Sequence, residues 1–499
     1  MSPTSPSPRR VPSCLAILAC LAVAGCAVGP DFKRPAPPVV NSYAAEIPAT
    51  TVATPDVAGG AAQSLRSTTD ISGDWWTLFH SPALTALVDR SLKANPDLKA
   101  AQAALAVARE NTLAQRGAFL PGVSAGLTGA RSRTSDPAPT STPNVVRSRL
   151  FTPQVSIAYA PDVFGLNRRT HESLQAQEQA ARDQMLAAYL TLTANVANAA
   201  IQDASLRAQI DATHELIALN TKALEAVSYQ ANKGYASPLD VAAQRAQLAQ
   251  TAATLPPLLT QLAQQHDLLA ALTGRFPSQA PPEDLDLASL TLPQDLPLSL
   301  PSDLVAQRPD VLQALANLHA ASAQIGIAVA NRLPSLQITG DAGATALAFS
   351  HAFGPGGGFW DLSAAVTAPV FQGGSLLHQE RAARAGYVQA SEQYRSTVLT
   401  AFQNVADTLA ALEHDAEGLK AAAASADAAR LTLDLSERQW RAGYASYLAL
   451  LSAEQGYQQA RIGLIQAQAA RYADTTALYQ ALGGGWWRRA EFSGNQDGH

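Results

Sequence analysis

Reactive side chains are sparse in this chain and poorly placed for catalysis. Gly122-Val123-Ser124-Ala125-Gly126 has the G-x-S-x-G pattern that, at a strand-to-helix elbow, presents a serine nucleophile for acyl transfer. That chemistry needs a sharp turn after the serine, with a histidine and an acid further on. Here Ser124 falls inside an alternating strand pattern. The nine histidines are scattered. His171 with Glu172, and His378 with Glu380, do not give two ligands at i and i+4, so no zinc-binding helix is formed. There is no P-loop and no dinucleotide fingerprint. The chain is therefore expected not to be an enzyme, with no catalytic residue, no metal and no cofactor.

One thiol does point to chemistry. Arg9 and Arg10 precede an apolar run from Val11 to Ala24 that is too short to span a membrane, the pattern of a secretory signal. Its end, Val23-Ala24-Gly25-Cys26, resembles a lipoprotein lipobox. The resemblance implies cleavage before Cys26 and lipidation of its sulfur. Several acyl chains make a stable anchor, at about 0.8 kcal/mol per buried CH2. Cys14 and Cys20 lie in the part removed, so Cys26 is the only cysteine of the mature chain and no internal disulfide is possible. Loss of Arg9 and Arg10 takes the net charge from -5 to -7. Ala27 follows the cysteine, which by analogy with known lipoproteins favours outer-membrane sorting.

Composition narrows the elements that remain. The 499 residues are 47% hydrophobic and only 15% charged, and no stretch after residue 25 approaches the ~20 apolar residues of a spanning helix. A polytopic helical membrane protein is excluded. A slightly acidic chain lacks the basic field of a nucleic-acid binder. Residues 27 to about 72 are rich in Pro, Ala, Thr and Ser and read as a linker, with order expected to begin at Asp74-Trp75-Trp76.

The chain repeats itself. Asn95-Pro96-Asp97-Leu98 matches Arg308-Pro309-Asp310-Val311 at an offset of 213, and Leu120-Pro121 matches Leu333-Pro334 at the same offset. Gly234-Tyr235-Ala236-Ser237 matches Gly443-Tyr444-Ala445-Ser446 at an offset of 209. A unit of about 210 residues is a duplicated domain rather than a solenoid repeat.

Each half is read as a helix, a strand pair and a long helical hairpin. Val123 to Arg131 and Leu150 to Tyr159 alternate in the first half; stretches around Leu336 to Ala342 and Trp360 to Val366 alternate in the second. Each strand has one polar face, and about ten residues is the length of a transmembrane β-strand, although singly each would also suit a half-solvated sheet. The segments Arg131 to Arg149 and Thr345 to Gly358 read as loops. A 4-3 apolar spacing runs from Met185 to Leu224 with nine of twelve positions apolar, and from Val398 to Trp440 with eleven of thirteen. Such a seam predicts long coiled-coil helices over about 166–233 and 373–441, each ~100 Å long. The return helices start at Ser237 and Ser446 and end near Gly274 and Gly483. Pro256-Pro257 must kink or break the first of them.

Four strands cannot close a barrel, and open edges are not tolerated in lipid. If they span a membrane, several chains must share one barrel, by default in a cyclic assembly.

The sequence resembles the lipoprotein branch of the outer-membrane factors of tripartite efflux systems. The resemblance rests on Cys26 with Gly29-Pro30 and Pro35, on Trp75-Trp76 with Phe79 and Leu84, on Arg308-Pro309-Asp310, and on Ile325-Gly326 with Ala328 and Pro334. Pro369-Val370-Phe371 and Ala481-Leu482-Gly483-Gly484-Gly485-Trp486 complete it. It implies an α+β membrane fold: a trimeric outer-membrane β-barrel, four strands per chain, continuous with a long periplasmic α-helical barrel, with internal duplication. The corresponding divisions are 1–25 signal peptide, 26–72 lipid-anchored tether, 73–273 first repeat, 274–302 equatorial linker, 303–486 second repeat and 487–499 disordered tail. The implied strand pairs lie near 120–131 and 149–161, and near 333–343 and 359–370. The implied function is a passive exit duct for small toxic compounds, a homotrimer working with a periplasmic adaptor and an inner-membrane transporter. A type I protein-secretion duct and a coiled-coil lipoprotein scaffold are the alternatives. The substrate range and the pump class are not legible.

On sequence alone Gly234, Tyr235, Ala236, Ser237 and Gly443, Tyr444, Ala445, Ser446 make turns. The resemblance adds that these tips contact the adaptor. In the family an Arg-Tyr pair and an Asp near the second tip lock the closed pore, and Gln439, Trp440 and Ser452 stand there in this chain. They are the expected pore-gate positions, Trp440 constricting by bulk; Asp240 is a candidate charge ring at the same gate or, equally well, part of a solvated helix face.

Overall fold

The computed structural model describes residues 27–40, 42–44, 49–67, 71–135, 145–280 and 285–493. The signal segment and Cys26 lie outside them. In chain order the elements are β1 (Ser64–Ser67), α1 (Pro82–Ala94), α2 (Pro96–Arg116), β2 (Gly122–Ser135), β3 (Val145–Tyr159) and α3 (Leu166–Asn232). There follow α4 (Pro238–Ala253), α5 (Leu255–Leu272), β4 (Asp295–Leu298), α6 (Pro301–Gln307) and α7 (Pro309–Ala330). The last are β5 (Ser335–Ala344), β6 (Gly358–Thr367), α8 (Ser375–Arg441), α9 (Tyr447–Ala481) and α10 (Ala490–Ser493). The duplication is visible as the matching runs α2-β2-β3-α3 and α7-β5-β6-α8, with α3 and α8 each 67 residues long. No described helix is long and apolar enough to cross a membrane.

Proline marks the difference between the return helices. α4 stops at Ala253 and α5 starts at Leu255, with Pro256 and Pro257 in its first turn. The second half has no proline there, and α9 runs unbroken for 35 residues.

Packing groups the chain into two compact units that cut across the repeats. The strand-bearing unit comprises Leu105–Ala180, Ala314–Gln393 and the described part of Met1–Arg34. Its antiparallel sheet has the order β2-β3-β5-β6. The first hairpin pairs from Gly122↔Ala158 to Ser135↔Val145, so β2 and β3 reach four residues further into the expected 131–149 loop at each side. The apolar alternation stops there, Ser132, Arg133, Arg147 and Ser148 making both faces polar, but the backbone pairing continues, and the Ser132 and Ser148 hydroxyls bond across the strands at 2.6 Å.

The hairpin-bearing unit comprises Pro35–Ala104, Ala181–Gln313 and Tyr394–His499. Trp75, Trp76 and Phe79 are buried in it, Trp75 stacked on Tyr479 at 5.4 Å between ring centres. The seam residues of α8, among them Val405, Leu409 and Leu412, are buried as the 4-3 spacing requires.

Arg308-Pro309-Asp310 works here as a brace. Pro309 opens α7, Asp310 accepts from the Val311 amide at 2.9 Å, and the Arg308 guanidinium donates to both Asp310 oxygens. Arg308 also donates to the carbonyls of Ala401 and Ala481, the latter the last residue of α9, where orphan carbonyls need donors.

Two sequence expectations need correction. Residues 27–72 are not a free tether. β1 adds in parallel to β4, Gln63 is fully buried and donates to Thr475 and the Pro293 carbonyl, and Thr51 accepts from buried Arg471. The segment has few large apolar residues of its own and is ordered instead by a strand partner and hydrogen-bond partners from distant parts of the chain. Nor does order end at residue 487. Arg489 pairs with Asp74 at 2.8 Å and lies over the Trp76 and Tyr189 rings, and Phe492 packs edge-on against Tyr189.

Candidate functional site

The two hairpin tips have one construction. At the end of α3 the Tyr235 amide donates to the Gln230 carbonyl at 2.8 Å and the Gly234 amide to Ala231 at 3.0 Å. At the end of α8, Tyr444 donates to Gln439 at 2.8 Å and Gly443 to Trp440 at 2.9 Å. This is the paired 6→1 and 5→2 bonding that closes a helix on a left-handed residue; Gly234 and Gly443 have φ of 80° and 81°. Ser237 then caps α4 in a reciprocal box with Asp240, and Ser446 caps α9 through the Ala449 amide. The turns are fixed by the backbone, which leaves Tyr235 and Tyr444 85% and 88% exposed, beside the exposed Leu239 and Leu448.

The expected gate positions are not brought together. Asp240 is committed to the Ser237 cap. Ser452 donates to the Leu448 carbonyl of its own helix. Trp440 is half-buried, edge-on to Tyr447 at 5.5 Å, against a core of Val227, Leu433, Tyr447, Leu450 and Ala453. Gln439 is exposed. Among the described residues these four make no hydrogen bond or ion pair with one another.

Below the tips lies a polar seam that sequence reasoning missed. Gln244 of α4 donates to Asn220 of α3 at 3.0 Å and accepts from the Tyr447 hydroxyl of α9. Further along, Gln455 donates to Gln247 at 2.7 Å and Gln466 to Gln209 at 3.2 Å. Glu454 is buried beside them, and burial pushes its carboxyl up to about 7; the Gln244 hydrogen bond opposes this and Glu437 adds to it. One signal was available. Asp203, Thr213 and Asn220, the three polar interruptions in the first seam, are all buried.

The sheet has two unlike faces. Val123, Leu127, Val155 and Ile157 lie on one, with Trp360, Leu362 and Val366 of the second hairpin, all exposed. The other carries Ser124, Ser156, Asp341 and Asp361 in one cross-strand row. Ser156 donates to Asp341, and the Thr339 and Ser363 hydroxyls bond at 2.7 Å. Ser124 sits within β2 opposite Ser156, so the G-x-S-x-G segment is strand and no elbow forms. Among the described residues no group of three or more His, Cys, Asp or Glu could hold a metal.

The segment after Cys26 is clasped to the start of α3. The Val28 amide donates to the Phe164 carbonyl, and Arg169 donates to the Val28 carbonyl, Asp31 and Glu172. His319 bonds the second Glu172 oxygen at 3.0 Å and stacks on Phe32 at 4.3 Å.

Residues 87–275 and 300–484, about three quarters of the chain and essentially its two repeats, match the family model "Outer membrane efflux protein". The chain is 31% identical over 475 residues to the probable efflux pump outer membrane protein TtgC of Pseudomonas putida KT2440, covering 93% of this chain and 94% of that one. It is 29% identical over 485 residues to outer membrane protein OprJ of Pseudomonas aeruginosa, covering 94% and 95%. The crystal structure of outer membrane protein VceC from Vibrio cholerae superposes with a TM-score of 0.77 at 25% identity, covering 84% of this chain and all of that one. The α+β fold with its duplication is that of the trimeric outer-membrane channels, the compartment is the outer membrane, and the role is that of an efflux exit duct. The family is one of transport components, and this chain belongs to the outer membrane efflux protein family.

Proposed function

We infer that three copies of this chain close one barrel and form a passive duct, conducting rather than catalysing. The carrying observation is the four-stranded sheet, whose outer strands β2 and β6 each have one strand partner among the described residues. In lipid such edges must be paired, and three four-stranded sheets joined edge to edge satisfy every strand, apolar face to lipid and polar face to the lumen. Cys26 carries the lipid. The clasp that holds Val28 to Asp31 beside the end of β3 supports an anchor at the periplasmic rim of that barrel.

A periplasmic adaptor seats on Gly234 to Ser237 and Gly443 to Ser446, and an inner-membrane transporter supplies the energy. Exposed Tyr235, Leu239, Tyr444 and Leu448 on rigid turns support this docking, since fixed aromatic and aliphatic side chains order at little entropic cost. Gln439, Trp440 and Ser452 beside the second tip and Asp240 beside the first are the gate positions of the closing end, with Trp440 packed on Tyr447 and Asp240 capping α4. The cargo is small toxic compounds: relatives are named for efflux of antibiotics, toluene and solvents.

The test is in-cell photo-crosslinking from a photoreactive residue at Ser446, with captured proteins identified by mass spectrometry. Capture of an adaptor is expected. Capture of other copies of this chain alone, from a correctly inserted trimer, rules out docking at this tip.

A further inference from the structure

We propose that Arg131, Arg133, Arg147 and Arg149 form a phosphate-binding band for the phosphorylated glycolipid headgroups of the outer leaflet. The register sets Arg131 opposite Arg149 and Arg133 opposite Arg147 at the free end of the β2–β3 hairpin. Directly opposed residues lie about 5 Å apart at Cα, and like charges so placed are destabilising. All four arginines are exposed, and none has an ion-pair partner among the described residues. Among the described residues nothing offsets this repulsion, which points to a ligand beyond them.

Strand parity says where. Arg131 and Arg133 share a face with Val123 and Leu127, and Arg147 and Arg149 share it with Phe151, Val155 and Ile157. The opposite face at the same height is neutral, with Ser132 bonded to Ser148. The band therefore ends the apolar face and not the polar one. Its height also fits. Val123 to Arg131 is ~27 Å along the strand at ~3.4 Å per residue, and to Arg133 ~34 Å. At a tilt of ~40° these are depths of ~20 and ~25 Å, the height of the apolar belt of an outer-membrane barrel. Tyr159 lies at the other end of β3, where an interfacial aromatic belongs. Four guanidinium forks at the outer rim can each hold a phosphate through two parallel hydrogen bonds, with their stems along the apolar surface. The second hairpin carries no arginine in β5 or β6, so each chain offers one such band.

This inference rests on the barrel reading above. The test uses the full-length trimer extracted from outer membranes, as wild type, as the fourfold Arg→Gln variant and as the fourfold Arg→Lys variant. Native mass spectrometry follows binding of bisphosphorylated lipid A and of the same lipid with both phosphates removed, each with and without inorganic phosphate. Wild type is expected to prefer the phosphorylated lipid by about tenfold or more. The Gln variant should lose that preference and the Lys variant keep part of it. Equal binding of the two lipids by wild type overturns the inference, as does an undiminished preference in the Gln variant. Displacement of the lipid by equimolar inorganic phosphate would assign the band to a soluble anion and equally overturn it. If the Gln variant fails to trimerise, the wild-type comparison of the two lipids decides alone. A conducting wild-type trimer without phosphate preference sinks this inference only; absence of a wild-type trimer sinks the barrel reading with it.

Discussion

Asp341 and Asp361 stand directly opposite each other on β5 and β6, on the polar face of the sheet, with the Ser156 hydroxyl donating to Asp341. Closed into a barrel of three chains, the pair recurs around the lumen at one height. Carboxylate rings favour cations in transit. The double variant Asp341→Asn with Asp361→Asn is expected to lower the cation-to-anion permeability ratio by severalfold toward unity. Reversal potentials of the reconstituted channel in a salt gradient measure it, and an unchanged ratio places the pair away from the conduction path.

Arg308 is buried and serves Asp310 and the carbonyl of Ala481 together. Arg308→Ala leaves the end of α9 and a carboxylate without their donor and should destabilise the chain by about 2–4 kcal/mol. Arg308→Lys restores a charge but not the fork, and should recover less than half of that. Thermal unfolding midpoints of the detergent-solubilised protein decide between these outcomes.

Glu454 titrates near 7 in the folded hairpin because burial opposes its charge, against an ordinary value near 4.5. Its folded value is raised, so the folded state holds a proton that the unfolded state releases. The contribution is fully present below about 4.5 and is lost as pH rises through about 7. Protection factors of the amides around Leu450 and Ala453, with exchange corrected for its intrinsic pH dependence, should therefore fall between those pH values and level off above. Glu454→Gln should flatten the profile; an identical slope in that variant assigns the pH dependence to another group.

Gly443 turns the second hairpin at a φ of 81°. Gly443→Ala forces a Cβ into the left-handed region at about 1–2 kcal/mol, and Gly234→Ala should act alike at the first tip. Faster exchange of the Gly443 and Tyr444 amides, with weaker resistance in cells that depend on this duct, is the expected pair of results. Fast exchange with full resistance would mean that the adaptor tolerates a loose tip.

Local punctuation made much of this fold legible. Ser237, Ser446, Gly234 and Gly443 mark helix ends through bonds to residues within five positions, and Pro256-Pro257 splits α4 from α5 as proline must. What was missed depends on distant partners. The β1 register joins Ser64 to Asp295, and Gln63 reaches Thr475, so a Pro- and Thr-rich segment looked like linker until its acceptors were in place. Asp203, Thr213 and Asn220 were visible as interruptions of an apolar seam, yet nothing local tells a buried Asn220 from a solvated one; its partner Gln244 lies on the next helix. Trp440 is legible by its size, but its edge-on contact with Tyr447 on the next helix is not.

The break between Ala253 and Leu255 has a mechanical reading. The first hairpin returns through a jointed strut, whereas α9 is one continuous rod of 35 residues, ~50 Å from Tyr447 to Ala481. A load on the first tip has to cross this break to reach the end of α5. A load on the second runs along one unbroken helix to Ala481, whose carbonyl Arg308 holds. Duplication supplied two similar arms, and one pair of prolines leaves them unequal: the first is segmented and the second is a single rod.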